Sequence, residues 1–104
     1  MRIYTHIYVF MSRQRETLTF RRDQIKRQIT SLLDRLLQGS VHKNPSQRGF
    51  HLTTKVQQKT RTQYVRKELA PQVRAMTQNH LKVRQLLGRL SDVNWRLLQL
   101  PPEP

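Results

Sequence analysis

The stretch that decides the fold runs from residue 55 to residue 69 and reads KVQQKTRTQYVRKEL. Its first part alternates between two kinds of side chain, which is the two-residue period of a β-strand. Its last part begins a pattern with the longer period of a helix. The change of period predicts a strand that leads directly into a helix.

Residues 50–65 as a whole alternate and predict a two-stranded β-ribbon. The turn falls at Gln57-Gln58, which lacks the Gly or Asn that a two-residue turn prefers, so we expect a longer loop or a bulge there. Phe50 and Tyr64 are expected to pack on the inner side of the ribbon. Four residues of the first strand would share one face: Phe50, Leu52, Thr54 and Val56.

The helix after the ribbon is predicted from Lys67 to about Gln99, where LPPEP ends it. Pro71 is tolerated in the first turn, because its missing N–H has no partner there anyway. Gly88 interrupts the helix at a cost of about 1 kcal/mol relative to Ala.

A heptad seam follows when the helix is read in alternate steps of four and three from Leu69. The seam predicts packing against the first helix, against a second copy of the chain, or both. Asn94 either fixes the register of a coiled coil or lies near a frayed end, and His80 is a tolerated polar residue of the core. The expected oligomer seam comprises Val73, Met76, Val83, Leu87, Leu90, Asn94 and Leu97.

An amphipathic helix is predicted over residues 18–38, with Thr17 or Thr19 as its N-cap and Gly39 at its end. Residues 39–49 read as a loop by composition. The resulting division of the chain is a poorly defined segment over 1–16, a helix-ribbon-helix domain over 17–100 and a Pro-rich tail over 101–104. Within the first segment, residues 1–11 are either a short edge strand or a stretch before a later start at Met11.

The chain is strongly basic, with 20 Lys and Arg against 6 Asp and Glu, and a formal net charge of +14 over 104 residues. Such a field favours a polyanionic partner. Arg outnumbers Lys by 14 to 6, and guanidinium groups suit phosphates and guanine edges. Residues 40–66 hold six basic residues and no acidic one, the densest uncompensated block.

The sequence argues against an enzyme. The six carboxylates are scattered, the four His residues show no metal-ligand spacing, and no Gly-rich phosphate loop occurs. We therefore expect no catalytic residues, no metal and no cofactor. The absence of Cys, of a signal peptide and of a membrane span predicts a cytoplasmic protein.

The basic ribbon is the candidate binding site, because a two-stranded ribbon fits the major groove of DNA. Lys55, Lys59, Arg61 and Gln63 are expected on or near one exposed side, where they can meet base edges. The nucleic-acid-binding set is completed by residues that can reach phosphates: Lys43, Arg48, Arg66 and Lys67.

The words KTRTQYVRKEL at 59–69, VR at 73–74 and LSDVNWRLL at 90–98 resemble the C-terminal half of a family of small bacterial proteins. Genes of that family often lie beside, or are described with, transposase genes. IKRQITSLLDRLLQGS at 25–40 is similar to the family's leading helix. The resemblance implies the order helix, ribbon, helix and an association with mobile elements.

Three departures from the family pattern stand out. Relatives usually have an Asn-Gly turn where this chain has Gln57-Gln58, and often Pro where it has Arg66. Many also carry Cys between the first helix and the ribbon, whereas this chain has none. The resemblance therefore implies no metal-linked role here.

Together these features predict an α+β chain in which the long helix folds back as a helical hairpin or forms a dimeric coiled coil. The expected function is non-catalytic binding of nucleic acid, DNA favoured over RNA, with a transposase and a second copy of the chain as further partners and no membrane. The alternatives are a coiled-coil adaptor between proteins and an RNA-binding protein with a basic surface.

Overall fold

The structure is a computed structural model that describes residues 2–43 and 49–102. It forms an α+β chain, so the predicted fold class is confirmed. The chain divides into two compact units, one made of residues 1–31 with 85–104 and the other of residues 32–84. The elements are helix α1 (Arg2–Leu33), strands β1 (Ser40–His42), β2 (Phe50–Val56) and β3 (Lys59–Val65), a short 3-10 helix (Lys67–Leu69) and helix α2 (Ala70–Gln99).

Helix α1 begins at Arg2, sixteen positions before the predicted start at residue 18. The alternative of an edge strand over residues 1–11 is therefore wrong. No Gly or Pro occurs between residues 2 and 33 to interrupt the helix. Thr17 is no N-cap: it lies inside the helix, and its Oγ1 donates to the Arg13 carbonyl at 3.0 Å.

Helix α1 ends at Leu33, before the predicted end at residue 38. The segment that follows is bonded to α2 instead of continuing the helix. The Leu37 N–H donates to the Met76 carbonyl at 3.1 Å, and Asn79 Nδ2 donates to the Arg35 carbonyl at 2.8 Å. These long-range partners replace the hydrogen bonds that another helical turn would have made.

The sheet has three antiparallel strands in the order β1-β2-β3, one strand more than predicted. Strand β1 lies within residues 39–49, which were predicted as a loop. Its three residues pair with β2 in the register Val41↔Leu52. A strand this short shows no alternation that a sequence pattern could reveal.

The turn between β2 and β3 has only two residues, so the expected longer loop or bulge is wrong. Val56 pairs directly with Lys59. Gln57 and Gln58 adopt φ values of 51° and 66°. Positive φ at both central positions is the geometry of a type I′ turn, whose twist matches that of the flanking strands.

The core of the unit formed by residues 32–84 is small. The buried cluster beside the sheet comprises Leu52 of β2, Val65 of β3 and Ala70 at the start of α2, whereas Thr77 and Val83 are buried further along α2. Because the 3-10 helix separates β3 from α2 by only a few residues, the ribbon and the first turn of α2 bury one another. Three half-buried residues pack against this cluster: Val41, Phe50 and Val73.

The second unit pairs residues 1–31 with residues 85–104, where Leu18 and Val93 are buried. Arg15 Nη2 donates to the Pro101 carbonyl at 2.6 Å. A groove in this unit is lined by both helices, with Leu18 on one side and Leu100 on the other. Residues of α1 and α2 thus line one groove of this unit, and the packing of the seam stays a prediction.

The seam residues differ in burial. Val83 is buried, and Val73, Met76, Leu90 and Leu97 are half-buried. Leu87 is 50% exposed and Asn94 is also exposed. The role of these two residues between copies of the chain stays a prediction.

We predict that replacing Gln57-Gln58 by Asn-Gly raises the free energy of unfolding by about 1–2 kcal/mol, because L-residues other than Asn and Gly are strained at positive φ. Urea unfolding followed by circular dichroism measures the change. As a control, Gln78→Gly places glycine in the right-handed backbone of α2 and should lower stability by about 1 kcal/mol. An unchanged midpoint for the turn variant would contradict the assigned turn geometry.

Gly39 and Gly88 provide a matched pair. A Cβ at Gly39, where φ is 132°, would lie 2.6 Å from the Thr53 carbonyl oxygen, whereas one at Gly88 would meet no atom within 4 Å. Gly39→Ala should therefore destabilise by about 1–3 kcal/mol, and Gly88→Ala should stabilise by about 1 kcal/mol. Equal effects of both substitutions on the thermal midpoint would refute this difference.

Candidate nucleic-acid interface

The ribbon has two faces, because side chains alternate along each strand and directly paired residues point the same way. One face carries the buried Leu52 and Val65, and we call it the core face. Its other members are Val41, Phe50, Thr54, Val56, Lys59, Arg61 and Gln63. The opposite face, the open face, comprises Ser40, His42, His51, Thr53, Lys55, Thr60, Thr62 and Tyr64.

The distal half of the ribbon extends beyond the core. Every residue from 55 to 64 is exposed, on both strands and in the turn. Leu52 is the last buried residue of β2, and at the rise of a strand the turn lies about 16 Å beyond it. The tip is therefore free on both faces in the described structure.

Three of the predicted binding residues share the core face of the tip: Lys59, Arg61 and Gln63. Lys55, which was expected on or near the same side, lies on the open face. The reason is register: Lys55 pairs with Thr60, so it has the opposite orientation to Arg61. The cationic tip thus presents two charges on one face and one on the other.

A second group of cations surrounds Phe50 at the base of the core face. Lys43 Nζ lies 5.9 Å from the centroid of the Phe50 ring, and Arg74 Cζ lies 5.8 Å from it. Lys67, Arg74 and Phe50 also line one shallow groove beside the first turns of α2. At these distances, Lys43 and Arg74 are within the range of a cation–π interaction with the Phe50 ring.

Arg74 is not among the predicted binding residues, because that set follows the basic ribbon and its flanks and stops at Lys67. The position of Arg74 in the sequence could have indicated that it lies beside the ribbon. It lies four residues after Ala70, on the helical face that meets the start of the ribbon.

The two ribbon aromatics do not share a side. Phe50 packs on the core as expected. Tyr64 lies on the open face and is 64% exposed, so its predicted inner position is wrong. Tyr64 pairs with His51, whereas Phe50 pairs with Val65.

Two further predicted contacts lie where β3 leads into α2. Arg66 and Lys67 are both exposed. Arg66 has φ −60° and ψ 143°, an extended conformation at the φ value to which proline is fixed. The last candidate, Arg48, falls outside the described residues.

The positive charge of the sheet is not neutralised by acidic residues of the same segment. Residues 40–66 contain no acidic residue, and Glu68 of the 3-10 helix is the first carboxylate after them. The ion pair of the described part of the chain lies elsewhere, between Arg22 and Asp23 of α1 at 3.2 Å. The sheet therefore presents an uncompensated positive field, which attracts polyanions.

The described residues contain no group of three or more His, Cys, Asp or Glu side chains placed to hold a metal ion. His42 and His51 do come together, with ring centroids 6.2 Å apart, but no third ligand joins them in the part of the chain that the structure describes.

None of the described helices is both long enough and apolar enough to cross a membrane.

Comparison of the chain with protein-family models, with curated proteins and with solved structures found no match.

We predict that the double substitution Lys59→Ala/Arg61→Ala changes the free energy of unfolding by no more than about 0.5 kcal/mol, because neither exposed side chain has a partner in the described structure. Leu52→Ala should cost about 2–5 kcal/mol, since it empties the core. Urea unfolding compares the two. A large loss of stability in the double variant would mean that these cations serve the fold and not a ligand.

Proposed function

We propose that this chain is a non-catalytic protein that binds duplex DNA through the core face of the ribbon tip. The observation that carries the proposal is the exposed tip itself, residues 55–64, together with the absence of any carboxylate from residues 40–66. Exposed cations with no intramolecular partner are available to phosphates and base edges.

The dimensions of the tip suit the major groove. Its free length of about 16 Å exceeds a groove depth of about 8.5 Å. Lys59, Arg61 and Gln63 follow one another on the same face at about 6.6 Å, close to two base-pair steps. Arg and Lys suit guanine and Gln suits adenine, so this face can read a short sequence.

The cations at the base would hold the backbone. Lys43, Lys67 and Arg74 lie around Phe50, at the root of the face whose tip enters the groove. Arg66 is exposed beside them. Contacts of this kind fix the position of a protein on the duplex without reading its sequence.

The shape of the ribbon favours DNA over RNA. The major groove of B-form DNA admits a two-stranded ribbon, whereas that of A-form RNA is too narrow for side chains to read. The resemblance to proteins encoded beside transposases supports a setting at mobile DNA in the cytoplasm, with a transposase as partner.

An adaptor between proteins is the second candidate function. Four large apolar side chains of α2 are exposed in the described chain: Leu81 at 55%, Leu87 at 50%, Trp95 at 59% and Leu98 at 76%. Exposed apolar surface of this kind can take a partner helix or a second copy of the chain.

The test of the main proposal is binding to a labelled random-sequence duplex by fluorescence anisotropy across a range of salt. If six to eight phosphates are contacted, affinity should fall about a thousandfold or more between 50 and 200 mM salt. Single-stranded RNA serves as competitor. Affinity that does not depend on salt, or a preference for RNA, would refute binding of duplex DNA by this surface.

On a random-sequence duplex Lys59 and Arg61 meet no preferred bases and contact phosphates instead, so Lys59→Ala/Arg61→Ala should reduce the salt slope by about two, about one for each lost phosphate contact. Lys82→Ala/Arg84→Ala in α2 is the matched control, since it removes the same charge from exposed positions outside the sheet. Equal losses in the two variants would show that net charge, and not the ribbon, governs binding.

The adaptor is tested by Leu87→Lys/Leu98→Lys, which changes two exposed positions and spares the half-buried Leu90. If the chain is an adaptor that uses this surface to form a dimer, sedimentation equilibrium should show dissociation while duplex binding per chain remains. If the unchanged chain and the variant both have the mass of a monomer, assembly through this surface is refuted.

A further inference from the structure

Three aromatic rings form a row across the open face of the sheet, one from each strand. The His42 and His51 rings are stacked, with centroids 6.2 Å apart and an interplanar angle of 30°. The His51 and Tyr64 rings meet edge to face at 6.0 Å and 74°. The pairings His42↔His51 and His51↔Tyr64 hold the three side by side.

The row does not belong to the core. The buried residues of the sheet, Leu52 and Val65, are both on the core face. Tyr64 leaves 64% of its surface to solvent. The neighbours of the rings on the open face are small or polar: Ser40, Thr53, Thr60, Thr62 and Lys55.

The rings are nevertheless held in place. A Cβ at Gly49 would lie 2.5 Å from Tyr64 Cε2, so the Tyr64 ring lies directly against the glycine backbone. His51 Nδ1 is buried and has no hydrogen-bond partner among the described residues. An unsatisfied buried polar atom costs stability, and a fold that keeps one in an exposed row points to a use for the rings themselves.

We propose that the row of His42, His51 and Tyr64 stacks the unpaired bases of a single-stranded nucleic acid. Aromatic side chains fixed on a sheet accept any base, because every base has a π-face. Charge complementarity identifies the occupant: Lys55 is exposed on the same face, and no acidic residue occurs anywhere from residue 40 to residue 66. A nucleic-acid strand supplies both the bases and the phosphates that this surface matches.

This inference rests on the proposed binding of nucleic acid and adds a second ligand form on the opposite face. The core face would engage paired DNA through cations, while the open face would take bases that are not paired. A duplex hides the faces of its bases, so only unpaired bases can stack on the row.

The test compares two single strands of equal length, an oligothymidylate and an abasic oligomer with the same phosphate backbone. We expect the intact chain to bind the oligothymidylate at least about tenfold more tightly. Tyr64→Ala and His42→Ala should each lose most of that preference, whereas Tyr64→Phe should keep it. His42→Ala guards against loss of folding, because His42 is an exposed edge-strand residue and Tyr64 covers Gly49.

The outcomes separate the two proposals. Equal, salt-dependent binding of both strands would overturn stacking and leave the binding of nucleic acid standing. No binding of either strand would overturn stacking, and the duplex titration would then decide the proposed function separately. A base preference that survives both alanine substitutions would also overturn the assignment to this row.

Lys59→Ala/Arg61→Ala supplies the matched control on the core face. It should weaken the binding of both strands by a similar factor and leave the ratio of the two affinities unchanged, because Lys59 and Arg61 are not on the open face that carries the rings. If this variant no longer preferred the oligothymidylate to the abasic oligomer, the bases would be placed on the core face and the proposal would be refuted.

Discussion

The structure of the proposed binding surface depends on the register between β2 and β3, which the two-residue turn at Gln57-Gln58 fixes. Because side chains alternate, a slip by one residue would send every member of one strand to the opposite face. Arg61 would then join the aromatic row, and Tyr64 would turn toward the core. The turn keeps cations and rings on separate faces, although neither Gln is a residue that positive φ favours.

The same register explains how a small core supports a long ribbon. Only Leu52 and Val65 are buried in the sheet, and Ala70 completes the cluster. The part of the ribbon beyond Leu52 is held by four antiparallel residue pairs and not by packing. The exposed tip thus obtains its order from backbone hydrogen bonds, and its side chains are left free for a ligand.

The sequence pattern predicts the elements whose hydrophobic period is sustained over many residues. It fails for elements that are too short or too locally determined to show such a period. The helix to Gln99 and the strands around Leu52 follow clear periods and were predicted. Strand β1 is too short for a period, and α1 extends to Arg2 because no residue interrupts it. Tyr64 was misplaced for another reason: an exposed aromatic looks like a core residue in sequence, and only the pairing with His51 reveals its face.

Two positions of the ribbon hold residues that are not the usual choice for their backbone geometry. Gln57-Gln58 adopts the positive φ values that Asn-Gly favours, and Arg66 has a φ of −60°, the value that proline imposes. The ribbon and its exit into α2 therefore keep the geometry that those residues would encode. In place of Asn-Gly and Pro, the chain carries longer polar or charged side chains at these positions: Gln57, Gln58 and Arg66. The two Gln side chains lower the intrinsic stability of the turn, and all three side chains enlarge the exposed polar surface of the ribbon and its exit.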